Sequence, residues 1–350
     1  MVEWLAGNRI RGTSAEKPVL GLQSPSVGGW VEVGRFTASG AVSSMPVTSL
    51  SDKRYYMYLS HYTSNADGQR IEINSDTGSN YSQRFSTNGA SDSTGINQSN
   101  IVAGYGGSGL EEFNVGYIAN KSDKEKLTQT FASSYGASGA GTAPNRRECT
   151  GKWANTSAAI SSFDFKPATS TFQSGAEVVV LGWDPADTHT TNFWEELASV
   201  TLGSAGSTID SGTITAKKYL WFQIFNGGLS SSGVTGIRFN SDGSNNYAER
   251  RSGNGGSDVT GTSRPVLNLV HTGTNTPQFS NCFVINNSSN EKLVISHSVS
   301  QNTAGAGTAP NRSECADKWA NTSSQITSVQ AIASVGNFPS GSILKVWGSN

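Results

Sequence analysis

Short apolar runs, separated by clusters of Gly, Ser, Asn and Asp, recur along the whole chain. The runs are rich in β-branched and aromatic residues, and some alternate in polarity. Leu293, Ile295 and His297 would lie on one face of a strand, and Val294 and Ser296 on the other. Both features are typical of β-strands. No segment keeps an apolar stripe at helical spacing for more than a turn or two, so the pattern predicts an all-β protein.

Strand-like segments occur at similar places in both halves of the chain. In the first half they lie at 54–59, 70–74, 113–118, 126–131, 160–165 and 177–183. In the second half they lie at 218–225, 236–240, 281–285, 292–299, 325–332 and 343–347. Turn residues within 153–160 predict a hairpin, and Asn-Gly at 88–89 and 254–255 predicts a second hairpin in each half. Many short strands with turn signals are typical of β-sandwiches, here of jelly-roll-like type.

The two halves are copies of one another. Gly-Ala-Gly-Thr-Ala-Pro-Asn-Arg at 139–146 recurs at 305–312, and Lys-Trp-Ala-Asn-Thr-Ser at 152–157 recurs at 318–323, both 166 positions later. Earlier in each copy the offset is 164, as for Trp30 and Trp194. One two-residue length change in a loop between 59 and 74 accounts for the difference, since loops tolerate such changes. The chain therefore contains a tandem duplication.

The duplication defines the expected domain organisation. We expect an N-terminal arm at 1–28, a first β-sandwich repeat at 29–184, a linker at 185–192 and a second repeat at 193–350. The period is far longer than the 20–50 residues of solenoid repeats, so each copy should be a complete domain. The arm has no counterpart in the second copy. Its Trp4, Arg9 and Arg11 either dock on another protein or fold over the arm's own domain.

Composition excludes several classes of function. The 25 Lys and Arg nearly balance the 26 Asp and Glu, and the formal net charge is -1. This balance gives no field for nucleic acid, which is bound by clustered basic residues. No apolar stretch is long enough for a transmembrane helix, and the first nine residues lack the pattern of a secretory signal. Three scattered cysteines without a CxxC pair predict buried thiols, not disulfides or a zinc site.

The sequence predicts no catalytic, cofactor or metal site. A catalytic set older than the duplication should appear in both copies. The four histidines, His61, His189, His271 and His297, have no histidine at the equivalent position. Motifs for nucleotide binding or zinc-dependent hydrolysis are also missing. We therefore expect a protein that is not an enzyme.

A polar set is kept in both copies and has two interpretations. It either builds tight turns, in which Asn and Asp side chains bond to backbone N–H groups, or forms a site for a glycan or Ca²⁺. The spacing departs from an EF-hand loop, and the structural interpretation is favoured. The set comprises Asn74, Asp76, Asn80, Tyr81, Arg84, Asn88 and Asp92, with Asn240, Asp242, Asn246, Tyr247, Arg250, Asn254 and Asp258. With the arm, the candidate interaction residues are Trp4, Arg9, Arg11, Asp76, Asn80, Tyr81, Arg84, Asp242, Asn246, Tyr247 and Arg250.

The loop Gly-Thr-Ala-Pro-Asn-Arg, at 141–146 and 307–312, leads into Glu-Cys and Lys-Trp in both copies. It is the best-kept segment of the duplication. Pro144 and Pro310 fix the backbone, so the loop should have a defined shape. Trp153 and Trp319 are expected to be core or interface anchors. Since no acid–base pair accompanies the segment, it predicts a packing or self-assembly contact.

Several of these motifs suggest a family. They are the segment from Trp to Glu at 4–16, Phe-Asn-Ser-Asp at 239–242 with Asn-Tyr-Ala-x-Arg at 246–250, Gly-Gly-Ser-Asp at 255–258, and the duplicated Gly-Thr-Ala-Pro-Asn-Arg block. Through these motifs the chain resembles virion structural proteins of marine tailed bacteriophages over nearly its whole length. Ala90 replaces Gly256 and Phe85 replaces Arg251 in the first copy, so the two domains should have different neighbours.

The resemblance implies an assembly protein of the virion. It would decorate the capsid or form part of the tail or fibre, docked through the arm, with other virion proteins as partners and self-association into a homo-oligomer. The alternative is a glycan-binding module for attachment to a host surface, with Tyr81 and Tyr247 as sugar platforms. An enzyme acting on host glycans is the weakest hypothesis, since it needs a carboxylate pair in a cleft. Neither nucleic acid nor membrane is expected as a partner.

Overall fold

The computed structural model describes residues 29–350 except 65–67, 108, 186, 188–190, 271–272 and 274. Within this part of the chain every regular element is a strand, which confirms the all-β prediction. The first copy contains β1 (Val31–Thr37), β2 (Met45–Val47), β3 (Tyr55–Thr63), β4 (Gln69–Ile73), β5 (Tyr81–Thr87), β6 (Ser93–Gln98), β7 (Ile101–Val102), β8 (Glu111–Ala119), β9 (Lys126–Ser134), β10 (Asn145–Trp153), β11 (Phe163–Pro167) and β12 (Glu177–Trp183).

The second copy repeats these elements. They are β13 (Glu195–Thr201), β14 (Thr208–Asp210), β15 (Tyr219–Asn226), β16 (Thr235–Phe239), β17 (Tyr247–Gly253), β18 (Val259–Arg264), β19 (Leu267–Asn268), β20 (Gln278–Ile285), β21 (Lys292–Ser300), β22 (Asn311–Trp319), β23 (Val329–Ala333) and β24 (Ile343–Ser349).

Each copy folds into a sandwich of an eight-stranded and a four-stranded sheet. In the first copy the large sheet has the order β1-β12-β3-β8-β9-β10-β5-β6 and the small sheet β2-β11-β4-β7. The second copy has the orders β13-β24-β15-β20-β21-β22-β17-β18 and β14-β23-β16-β19. Each strand of the first copy and its equivalent in the second have equivalent neighbours in their sheets. The chain crosses repeatedly between the large and the small sheet, as in a jelly roll. The prediction of two duplicated β-sandwiches is confirmed.

A separate apolar core fills each sandwich. In the first, Tyr56 and Tyr58 of the large sheet pack against Phe163 and Phe165 of the small one. Side chains at every second position of a strand share a face, which is why residues two apart in β3 enter the same core. In the second core the equivalent positions include Leu220, Phe222, Val329 and Ala331.

A third core joins the two copies, and the sequence did not predict it. The outer faces of the two large sheets pack against each other, so the molecule has four layers, with the small sheets outermost. Strands β3 and β12 are therefore buried on both faces, which explains their almost continuous apolar runs. The first copy contributes Met57, Leu59, Phe113, Val115, Val179 and Leu181, and the second Tyr219, Trp221, Phe283, Ile285, Leu293, Ile295 and Trp347.

Local predictions had mixed outcomes. The hairpins at Asn-Gly are confirmed, since β5 pairs with β6 and β17 with β18. Asn88 and Gly89 both have the positive φ that such a turn needs. The hairpin over 153–160 is wrong: β10 belongs to the large sheet and β11 to the small one. The segment instead crosses between sheets, held by the Asn155 carboxamide oxygen, which accepts from the N–H groups of Ser157 and Ala158.

The three cysteines are buried and unpaired, as predicted. Burial raises the pKa of the Cys149 thiol to about 12. Cys282 and Cys315 lie in equally apolar surroundings, and burial raises the pKa of both thiols. These thiols serve as core residues.

Candidate functional site

The arm residues Trp4, Arg9 and Arg11 lie outside the described residues, as do His189 and His271. The remaining candidates belong to the polar set that both copies keep. Their positions decide between the two interpretations of that set.

In the first copy the polar set fastens the small sheet to the large one. The Tyr81 side chain is buried, and its hydroxyl accepts from the Ile73 N–H at 2.9 Å and donates to the Asp76 carbonyl at 3.0 Å. The Asp76 carboxylate accepts from the Trp153 indole N–H at 2.7 Å and from the Asn80 carboxamide. These bonds hold the pKa of Asp76 below its ordinary value against the opposing effect of burial. Every member of the set therefore has a partner within the protein.

The second copy repeats this arrangement bond for bond. The Tyr247 hydroxyl accepts from the Phe239 N–H at 3.0 Å, and Asp242 accepts from the Trp319 indole at 2.8 Å and from Asn246 at 2.9 Å. Because Tyr247 and its first-copy equivalent are both fully buried, neither ring is available as a sugar platform. The duplicated tyrosines serve the structure and not ligand contact, which corrects the glycan role considered for them.

The two arginines of the polar set have different environments. Arg84 is exposed and lies 3.5 Å from Asp92, which is also exposed. Its equivalent Arg250 is only 18% exposed and donates to the Pro144 carbonyl of the first copy at 2.7 Å. Only the second-copy arginine therefore takes part in the contact between copies.

Arg250 thus contacts the first-copy loop that contains the best-kept segment. Residues 135–144 lie on the second copy, where the buried Lys318 ammonium donates to the Tyr135 carbonyl at 2.8 Å and to the Ala137 carbonyl. The same ammonium lies 3.2 Å from Glu291, which also accepts from the Gly139 N–H. A buried lysine, a buried carboxylate and a polar loop thus satisfy one another.

An ion-pair network adjoins the docked loop. The buried Arg146 guanidinium lies 2.7 Å from Asp258 and 3.4 Å from Glu314 of the second copy, and 2.6 Å from Glu148 of its own. Burial opposes the charge of Arg146, but these carboxylates raise its pKa above the ordinary value. These ion pairs tie β10 of the first copy to the second copy.

The equivalent contact in the other direction is not formed. Residues 302–310 of the second copy are exposed, although 305–310 repeat the sequence of 139–144. The counterparts of Lys318 and Glu291 are Lys152 and Glu125, which form an ion pair of 2.8 Å with side chains 43% and 40% exposed. Each copy thus has the loop and the Lys–Glu pair that could bind it. Among the described residues, only the first-copy loop and the second-copy pair are in contact.

The two large sheets therefore approach each other closely on one side only. Near the centre, Phe131 contacts its own equivalent, His297, with 4.3 Å between ring centroids, as expected near a two-fold axis. On the closed side Phe113 packs against Tyr219 at 6.5 Å. Their counterparts on the other side, Phe279 and Tyr55, are instead 38% and 37% exposed. The sheets diverge there and leave a cleft.

This cleft has a volume of about 810 Å³ and is lined by both copies. The first copy contributes Trp30, Tyr55, Tyr117 and Trp183 to its wall, and the second Trp221, Phe279 and Phe283. The Tyr55 and Trp183 rings are stacked at 5.3 Å, as are those of Trp221 and Phe283. The described lining residues include none with a charged side chain.

Three carboxamides are among the polar groups of the cleft. They belong to Gln129, Gln223 and Asn281. The Asn281 oxygen accepts from the Trp221 indole at 2.6 Å and from Gln223 at 3.1 Å. This fixes the orientation of the Asn281 amide, whose nitrogen remains a donor for a ligand. The arrangement can bind a neutral molecule that has both apolar faces and hydroxyl groups.

His61 lies between the two copies. His61 Nε2 lies 2.5 Å from Glu111, and its Nδ1 lies 3.1 Å from the Asn287 amide of the second copy. Both ring nitrogens of His61 are therefore engaged, Nε2 by a carboxylate of its own copy and Nδ1 by the second copy. In the described part of the chain, no three His, Cys, Asp or Glu side chains gather as metal ligands.

Sequence reasoning missed the cleft because it searched for residues kept in both copies. Most residues of the cleft differ in type from their counterparts in the other copy, such as Trp183, which corresponds to Ser349, and Asn281, which corresponds to Val115. A signal was present in the apolar run Val178, Val179, Val180 and Leu181, since a strand buried on both faces implies a second layer on its outer side.

No family model matches the chain, and no curated protein matches it. Among solved structures, domains LG4-5 of the mouse laminin α1 chain are 10% identical over 98% of this chain and 93% of their own, with a TM-score of 0.20. The Yersinia pestis protein Ail, in complex with the heparin analogue sucrose octasulfate, is 6% identical over 77% of this chain and 99% of its own, with a TM-score of 0.14. Likenesses this weak carry no inference about function. Within the described residues, no helix has the length and apolar character to cross a membrane.

Proposed function

We propose that this protein is a non-enzymatic structural component of a tailed-phage virion, which decorates the capsid or forms part of the tail or fibre. The resemblance of the arm and of both copies to marine phage virion proteins is the starting point. The observation that carries the proposal is that the best-kept segment of the duplication makes a packing contact. A segment preserved for assembly is expected to bond to other protein groups, as residues 139–146 do. Gly139 donates to Glu291, the Pro144 carbonyl accepts from Arg250, and Arg146 pairs with Asp258.

The four-layer body suits this role. Three apolar cores in one body give a rigid unit, and the low content of charged residues, 15%, suits a surface that does not depend on salt. The exposed loop at 302–310 offers other copies the same groups that its counterpart already uses. Self-association and contact with other virion proteins are both part of the proposal, with the arm as the docking element.

The test is binding of the purified full-length protein to virus particles stripped of their minor proteins, followed by mass photometry. The wild type should bind saturably at a fixed copy number per particle. Replacement of Trp4, Arg9 and Arg11 together by Ala should abolish binding. A control with exposed arginines of the body replaced, Arg264→Ala and Arg312→Ala, should bind normally. Absence of wild-type binding, or unchanged binding of the arm variant, would contradict the proposal.

A further inference from the structure

We infer that the cleft between the two large sheets is a binding site for a neutral oligosaccharide. This inference goes beyond the structural role and does not depend on it. It places sugar binding away from the duplicated tyrosines, at a site that exists only because the two copies pack asymmetrically.

The exposed apolar residues of the molecule are concentrated near this cleft. Tyr55, Phe279 and Leu127 lie in its wall with 37%, 38% and 59% of their surface exposed. Val299, the cross-strand neighbour of Phe279, is 42% exposed. Exposed apolar side chains that cluster on a concave surface mark a binding site, whereas scattered ones do not.

The chemistry of the wall selects the class of ligand. A pyranose ring has apolar C–H faces, which pack on aromatic rings, and hydroxyl edges, which bond to amides. The stacked rings of Tyr55 and Trp183 in the first copy and the exposed Phe279 ring in the second provide such faces. The amides are those of Gln129, Gln223 and Asn281. Because the described lining carries no charge, an anionic sugar would lose its hydration without gaining a partner. The cleft therefore matches a neutral glycan.

A peptide fits the cleft less well. The strands that line it are β3, β8, β9 and β12 of the first copy with β15 and β20 of the second. Each of them has a hydrogen-bonded neighbour on both sides within its sheet. Their backbone groups are thus already paired, and an extended peptide could not add to the sheet as it does at a free edge. A sugar needs no backbone partner.

The test uses the full-length protein and tryptophan fluorescence, because Trp30, Trp183 and Trp221 line the cleft. The neutral probes are cellohexaose, maltohexaose, mannohexaose and chitohexaose, and a sulfated heparin hexasaccharide is the anionic probe. At least one neutral probe should give a saturable change, and the anionic probe should give none. No saturable change with any neutral probe up to about 10 mM would overturn the inference, as would binding of the anionic probe alone.

Substitutions then locate the binding. Tyr55→Ala and Phe279→Ala should each weaken binding of the active probe about tenfold, since aromatic anchors dominate such contacts. Both side chains are more than one-third exposed, so truncation should preserve the fold, which circular dichroism checks. Val335→Ala, at a residue 52% exposed and outside the cleft lining, is the control and should bind as the wild type does. Unchanged affinity in both folded cleft variants would also overturn the inference, while virion binding tests the structural role separately.

Discussion

Lys318 and Lys152 occupy the same position in the two copies but lie in opposite environments, which makes them a matched pair for a stability measurement. Lys318 is fully buried and holds Glu291 and two loop carbonyls. Lys152 is 43% exposed and pairs with Glu125. Replacement of either lysine by Met removes the charge but keeps most of the aliphatic stem, so the comparison isolates the ionic contact.

The expected magnitudes differ clearly. Removal of one partner of a buried ion pair leaves an uncompensated charge and costs about 3–5 kcal/mol. Removal of one partner of an exposed pair costs about 0–1 kcal/mol. We therefore expect Lys318→Met to lower the free energy of unfolding by about 3 kcal/mol more than Lys152→Met. Glu291→Gln added to Lys318→Met should restore part of the loss, since it removes the unpaired carboxylate.

The assay is guanidinium unfolding at neutral pH, followed by tryptophan fluorescence. Trp30, Trp194, Trp221 and Trp347 lie in the core between the copies, so separation of the sandwiches changes the signal even if each stays folded. A first transition that shifts only in Lys318→Met would identify the interface as the part weakened. Equal effects of the two substitutions would refute the assignment of the docked loop.

Two further predictions concern charge and hydrogen bonding. Burial alone would raise the pKa of Glu177, but Lys218, Tyr219 and Thr37 hold it at about 2. A lowered carboxyl pKa stabilises the fold above the ordinary value of 4.5, and that stabilisation, about 3 kcal/mol, is lost as the pH falls from about 4.5 towards 2. In urea unfolding, the stability difference between the wild type and Glu177→Gln should therefore shrink over this range, and a constant difference would contradict the reasoning. Tyr81→Phe and Tyr247→Phe should each lower the free energy of unfolding by about 1–3 kcal/mol, and by equal amounts, because both hydroxyls make the same buried bonds. If either variant lost sugar binding without losing stability, the structural role assigned to these tyrosines would be wrong.

The fold was predictable because its signals are local or repeated along the chain. Apolar runs marked the strands that are buried on one or both faces, and the duplication ensured that each half is one unit. Strand β10 is one of several strands that the predicted segments missed, and its outward positions are polar: Arg146, Glu148 and Lys152 alternate with inward Cys149 and Trp153. The period of two is present there, but ionic side chains on the outer face gave the segment the composition of a loop.

The cleft could not be predicted because it depends on how the copies lie against each other. Identical loop sequences at 139–146 and 305–312 give identical expectations. Yet Pro144 is buried at the interface, and Pro310 is exposed. The relative placement of the two sandwiches distinguishes the loops, and the loop sequences themselves do not encode that placement.

The asymmetry has a cause in residues that differ between the copies. On the closed side Glu177 accepts from Lys218 and from the Tyr219 hydroxyl. The position equivalent to Glu177 is Ile343, so the corresponding basic and tyrosine pair on the open side has no carboxylate to bind.

His61 follows the same rule. It joins Glu111 to Asn287 of the second copy on the closed side, whereas its counterpart is Phe225, which is 44% exposed. Glu177 and His61 thus bond across one side of a nearly two-fold interface, and the two matching positions on the other side hold the apolar residues Ile343 and Phe225. Two copies with full two-fold symmetry would close both sides and leave no space between the sheets. The cleft lies on the side where the bonds of Glu177 and His61 have no equivalent, and both copies contribute aromatic rings to its wall.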